Sequence, residues 1–219
     1  VINEIMYHPP HDLEDLQYIE LLNRGPGDVD LSKWSFTKGI KFVFPEKTRL
    51  SSGKYLVIAR KLSVYSSNYG QNIFVLGDFS GKLSHGGETL ELSNGSGKVI
   101  DTVTYEDGSL WPLAADGYSA SLERISPSVA SSEPSNWAGS TLPPFEKPAG
   151  TPGRRNDSFS TNLPPVISNV KFSAPAPMKP VTVTAEVANS QGVKKVTLLW
   201  RLVKTGGETP ETSIPMSRA

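Results

Sequence analysis

Cysteine is absent from the 219 residues, and with it go the thiol nucleophile, the zinc ribbon and the disulfide scaffold. The absence leaves the compartment open, because secreted proteins also do without disulfides. Long apolar runs are missing too. No stretch approaches the ~20 residues of a membrane-spanning helix, so membrane insertion is not expected. Net charge is the third lack: 22 basic residues cancel 22 acidic ones. No basic stripe carries interleaved aromatics, which argues against nucleic acid as a partner. Up to Thr161 there are 15 Lys and Arg against 19 Asp and Glu, or −4, and the remainder is +4. An asymmetry of that size names no partner. Helical periodicity is also scarce, with one short piece near "RKLSVYSSN". The chain starts at Val1 inside a strand-like pattern and reads as a piece of something longer, so targeting signals lie outside the reading.

Strand signals fill the space left by helices. "VINEIMY", "LQYIELLN", "KFVFP", "KYLVIAR", "NIFVLGDF" and "SASLERI" are rich in Val, Ile, Leu, Phe and Tyr and are bounded by Gly, Pro, Asn or Asp. Short strands at this spacing imply an all-β antiparallel sandwich or barrel, not a parallel α/β sheet. The stretch "HGGETLELSNGSGKVIDTVTY" has a glycine-rich turn ending in lysine, which invites a phosphate-loop reading. That reading fails, because Val99 follows Lys98 where a hydroxyl is required and Leu92 stands where the first glycine belongs. It reads instead as a hairpin, with Leu90 and Leu92 on one strand and Val99, Val103 and Tyr105 on the other. Asp101 interrupts the second apolar row.

From Pro127 to Pro165, Ser, Pro, Gly and Asn dominate, as in an irregular wrap followed by a linker. Periodicity then returns. "VTVTAEVAN" alternates Val181, Val183, Ala185 and Val187 against Thr182, Thr184 and Glu186, and "KVTLLWRLV" places Val196, Leu198, Trp200 and Leu202 on one face. With "PVISNVKF" these make three strands, where an immunoglobulin-type sandwich needs about seven. The expected organisation is a first β-sandwich over residues 1–156, a linker over 157–164 and an incomplete second β-sandwich over 165–219. Unpaired edges and an uncovered apolar face in the second domain would favour self-association or packing on another surface.

Read in order, "VINEIMYHPP", "YIELLNRGPGDVDLSKWSF", "FPEKTRLSSGKYLVIAR", "GKLSHGGETLELSNGSGKVIDTVTYEDG", "DGYSASLERI" and "SNWAGSTLPPFEKPAGTPGRRN" resemble the lamin tail domain in its bacterial, extracytoplasmic form, over roughly residues 1–156. The resemblance implies an immunoglobulin-like β-sandwich acting as an interaction module, with any catalysis lying in neighbouring domains. The segment beyond Pro164 is similar to the immunoglobulin or fibronectin-type repeats that follow such domains. Coiled-coil heptads and a basic nuclear-targeting run are lacking, so a filament or nuclear role is not supported.

Residues able to carry chemistry are few. "HPPHDLED" sets His8 and His11 beside Asp12, Glu14 and Asp15. Oxygen donors outnumber nitrogens there, so calcium on Asp12, Glu14 and Asp15 is favoured over zinc. A solvated loop is the plain alternative, and no other cofactor is called for. Asp28 and Asp30 read as turn caps. No G-x-S-x-G elbow or assembled triad occurs, so the chain is read as not an enzyme. Trp34 and Trp200 read as core, whereas Trp111, Tyr118 and Trp137 sit in loop-like sequence where rings can stack on sugar or anchor a protein. The leading reading is a non-catalytic module of a secreted or cell-envelope protein, with a protein or cell-surface partner. The second is a carbohydrate-binding module with Trp111, Tyr118 and Trp137 as its platform. An exposed coplanar strip of those rings, as against rings buried under loops, separates the two.

Overall fold

The computed structural model describes all residues except 71, 109, 143–148, 175–178, 190–191 and 219. Two compact units divide the chain, Val1–Asn162 and Leu163–Ala219. Part of the segment read as a wrap, residues 143–148, lies outside the described residues.

In the first unit, β1 (Ile2–Met6), β2 (Tyr18–Leu22), β3 (Val29–Asp30), β4 (Ser35–Lys38), β5 (Phe42–Val43), β6 (Arg49–Leu50) and β7 (Tyr55–Ala59) precede helix α1 (Leu62–Tyr69). β8 (Val75–Leu76), β9 (Glu88–Ser93), β10 (Val99–Tyr105), β11 (Leu122–Arg124) and β12 (Trp137–Gly139) follow it. One sheet has the order β12-β11-β1-β2-β7-β8 and a second β10-β9-β4-β5. β3 and β6 form a small separate pair. Ile2, Ile5, Ile19, Leu21, Leu56, Ile58 and Leu122 from the first sheet meet Phe36, Leu90, Leu92, Val103 and Tyr105 from the second in one core. Burying each such side chain stabilises the fold by ~1.5–3 kcal/mol. This is the expected sandwich, and among the described strands its ladders are antiparallel except for that of β7 and β8. β7 and β8 run parallel, because α1 carries the chain back before β8 begins.

The central strands β1, β2 and β7 are buried on both faces, apart from half-buried Tyr55. Met6, Tyr18, Val57 and Ala59 pack under Tyr65 of α1, with Tyr69, Ile73 and Val75 around them. Beside this second apolar cluster the same face is polar. It carries Asn3, Glu4, Glu20 and Glu123, all buried, and the loop "AGTPGRRN" lies across them. Gly150 lets that loop approach, since a Cβ there would stand 2.3 Å from Tyr18 Oη and 2.6 Å from Glu4 Oε1.

The hairpin of β9 and β10 forms with one correction. Val99 is 46% exposed and does not share a face with Val103 and Tyr105. A register shift between Val99 and Asp101 turns Asp101 inward, where it accepts hydrogen bonds from Ile2 N and Arg124 Nη1. The turn is held by Asn94 Oδ1, which accepts from Ser96 N and Lys98 N. "NIFVLGDF" yields only the two residues of β8. Asp30 caps its turn through Ser32 N, and Asp28 accepts from Ser51 and Ser52. Trp34 is half-buried against the core.

Among the described residues, the second unit forms three two-stranded pairs. β13 (Val166–Phe172) pairs with β14 (Val183–Ala188), β15 (Thr197–Trp200) with β18 (Thr212–Pro215), and β16 (Val203–Lys204) with β17 (Gly207–Glu208). Val183, Ala185 and Val187 are more buried than Thr184 and Glu186, as the alternation requires. Trp200, expected in a core, is 44% exposed, because among the described residues β15 pairs with β18 alone and no second sheet covers its face.

Candidate functional site

Residues from three loops of the first unit meet around His8: Asp12 after β1, His85 before β9, and Asp116 and Gly117 after β10. His8 Nδ1 lies 2.7 Å from Asp116 Oδ1, and its Nε2 lies 2.8 Å from Asp12 Oδ1. The His85 ring stacks on the His8 ring, with centroids 3.8 Å apart and planes 14° apart. His85 Nε2 is buried without a hydrogen-bond partner among the described residues. Gly117, at φ +73°, brings its backbone against the His8 imidazole, where a Cβ would stand 3.1 Å from Cε1. His11 and Asp12 both occupy left-handed backbone, with φ 57° and 53°, and this turn aims the Asp12 carboxylate back at His8.

The electrostatics of the two histidines diverge. Burial opposes protonation of His8, but hydrogen bonds to Asp116 and Asp12 outweigh it and raise its pKa above the ordinary histidine value. Burial, followed by the charge of His8, lowers that of His85. Both ring nitrogens of His8 thus face carboxyl groups, an arrangement that favours its imidazolium form, whereas burial favours the neutral form of His85 stacked on it.

The sequence-expected calcium ligands do not converge. Glu14 Oε2 accepts from Arg60 at 2.9 Å and Oε1 from Lys82 at 2.7 Å. These hydrogen bonds pull its pKa down to about 2. Asp15 lies 3.7 Å from Arg60 Nε. Glu14 and Asp15 are thus matched to cations of the chain itself, and only Asp12 joins the histidines. His8, Asp12 and His85 each offer a donor atom, and these atoms lie within 4.8 Å of one another. His8 and Asp12 were legible as neighbours in "HPPHD". His85 and Asp116 were not, because only the packing of three separate loops brings them there.

The three rings considered as a sugar platform are divided. Trp111 and Trp137 are 6% and 4% exposed, 6.0 Å apart and tilted by 39° to each other. Trp137 Nε1 donates to Ser131 O, and Arg124 lies over its ring. Tyr118 alone faces solvent, at 69%. These three rings form no exposed coplanar strip.

A second polar group escaped the sequence reading altogether. Glu4 Oε1 accepts from Tyr18 Oη, Ser121 Oγ and Thr151 N. Glu20 Oε2 accepts from Gly153 N, and Glu123 accepts from Thr151 Oγ1 and Ser158 N. Asn156 bridges Asn3 and the Arg124 carbonyl. Burial raises the Glu4 pKa from its ordinary 4.5 to about 7, against the pull of its hydrogen bonds, and raises that of Glu20 well above the usual range. The signal was a glutamate inside each of "VINEIMY", "YIELL" and "SLERI". Because their partners are largely the chain's own loop, these carboxylates anchor that loop to the sheet.

Comparison with known families fits this architecture. Residues 1–107 match the lamin tail domain. The lamin tail domain is an immunoglobulin-like β-sandwich module and generally non-catalytic. The match ends just after β10, short of the 1–156 over which the motifs were read. Within the lamin tail match lie His8, Asp12 and His85, while Asp116 and strands β11 and β12 follow it. No curated protein and no solved structure matched the chain. Among the described residues, no helix is long and apolar enough to cross a membrane.

Proposed function

We propose that the chain is a non-catalytic interaction module of a larger secreted or cell-envelope protein, and that its first unit engages a protein or cell-surface partner through the loops around His8. The observation that carries this is apolar exposure on those loops. Leu13, Leu110, Leu113 and Tyr118 are 46, 72, 64 and 69% exposed, on segments held to the sandwich by the His8 contacts. Large apolar and aromatic side chains presented from loops on a rigid scaffold suit a partner interface. The non-catalytic part is supported by the lamin tail match and by the buried carboxylates, whose oxygens are taken up by the chain's own donors. The extracytoplasmic part rests on the ordered motifs that resemble the bacterial form, followed by a second strand-rich unit resembling immunoglobulin or fibronectin-type repeats.

Binding of the labelled chain to intact cells of the source organism, compared with a Leu110→Ser, Leu113→Ser double variant, tests the reading. Saturable binding that the variant loses by tenfold or more is expected. Equal binding by both chains removes the loops from the interface, and turnover of ester, glycoside or phosphodiester substrates by the pure chain overturns the non-catalytic reading.

A further inference from the structure

We propose that His8, Asp12 and His85 form a binding site for a divalent transition-metal ion of the zinc, cobalt or nickel kind. The donors are His8 Nε2, Asp12 Oδ1 and His85 Nε2, with Asp116 holding His8 through Nδ1. The proposal is independent of any partner on the neighbouring loops.

Three observations converge on it. The first is donor chemistry: two imidazole nitrogens and one carboxylate suit zinc, cobalt, nickel or copper, whereas calcium takes six to eight oxygens. The second is His85 Nε2, buried and unpartnered beside two groups that are both engaged. A buried polar atom without a partner needs an explanation, and an ion shared with His8 supplies one. The third is the His8 Nδ1–Asp116 contact at 2.7 Å. An imidazole whose second nitrogen donates to a carboxylate has its tautomer and ring direction fixed for metal binding at Nε2.

Zinc–nitrogen bonds of ~2.0–2.1 Å require donors closer together than the present span of up to 4.8 Å. The site must therefore tighten on binding, and because an imidazole holds an ion in its ring plane, the His85 ring must turn out of its stack on His8. Asp12 is also able to move: its side chain is 77% exposed and is held by His8 Nε2. The ion would replace the proton now shared between Asp12 and His8, and would tie residues 8–12 to residues 84–87. Three protein donors leave the fourth position of a tetrahedral ion to water or to a side chain from outside.

The test uses the full chain without a histidine tag, stripped with chelator and titrated with zinc or cobalt by calorimetry and by cobalt absorption. One ion per chain is expected, with a melting temperature that rises with zinc concentration by mass action and does not respond to calcium. His85→Ala and Asp12→Ala should each weaken zinc binding at least roughly tenfold, and Asp116→Asn by about 10–100-fold. His11→Ala should leave binding unchanged. His85 Nε2 makes no hydrogen bond and the Asp12 side chain is exposed, so at least one of the two variants is expected to fold, as circular dichroism will verify. Failure to bind zinc, cobalt or nickel, or binding that survives His85→Ala and Asp12→Ala, overturns the site.

Discussion

The strand "VTVTAEVAN" in the second unit alternates more cleanly than "VINEIMY" in the first, yet the burial of the two runs the other way. Every residue of Ile2–Met6 is buried, including Asn3 and Glu4, whereas Val183–Ala188 alternates between half-buried and exposed. A period of two reports which face a side chain takes, and burial depends on what covers that face. In the first unit a second sheet covers one face of β1, while α1 and the "AGTPGRRN" loop cover the other. In the second unit the strands among the described residues pair two by two, and Ile167, Phe172, Leu199 and Val203 remain 56–72% exposed. The first unit thus carries polar groups that must be satisfied, and the second carries apolar groups that face water.

Breaking a buried ion pair should separate the two units most sharply. Arg124, whose side chain is 2% exposed, pairs with Asp101 at 3.2 Å and donates to the carbonyls of Ile2, Ser126 and Val129. Arg124→Met leaves Asp101 and those carbonyls short of a buried partner, and should destabilise the first unit by about 3–5 kcal/mol in chemical denaturation. A loss below about 1 kcal/mol would mean that water reaches the network.

The next effect is on pH. Unfolded, Glu4 releases its proton near 4.5; folded, it does so only near about 7. Between those values the native chain holds a proton that the unfolded chain has lost. Stability of the first unit should therefore fall as pH rises through this window, by on the order of 3 kcal/mol. Glu4→Gln should flatten the fall, as denaturation midpoints at stepped pH will read. Below the window Glu14, held low by Lys82 and Arg60, pulls the other way.

Removing residues 163–219 should shift the melting temperature of the first unit by less than roughly 2 °C and leave it monomeric in sedimentation velocity. A larger drop would mean that the two units share a core. The smallest effects belong to the second unit itself. Arg201 and Glu208 pair at 2.8 Å with both side chains about half exposed, so Arg201→Met should cost less than about 1 kcal/mol. Phe172→Ser, at a ring 72% exposed, should stay within about 0.5 kcal/mol.

The sequence by itself determined the strand-rich class, the β9–β10 hairpin and the ordered motifs that point to the lamin tail domain, because periodicity and turn residues act over a few neighbouring positions. It also placed His8 beside Asp12, four residues apart. Only the tertiary structure decided that the calcium-like carboxylates Glu14 and Asp15 are taken by Arg60 and Lys82, and that Trp111 and Trp137 lie under loops. The same packing stacks His85 on His8, and lays Gly150, Thr151 and Gly153 over Glu4, Glu20 and Glu123. Those contacts join residues far apart in the chain, and no local pattern carries that information. Closing the sandwich fixes which loops share an end and which carboxylates lose their water, and that closure sets both the histidine site and the buried glutamate anchor.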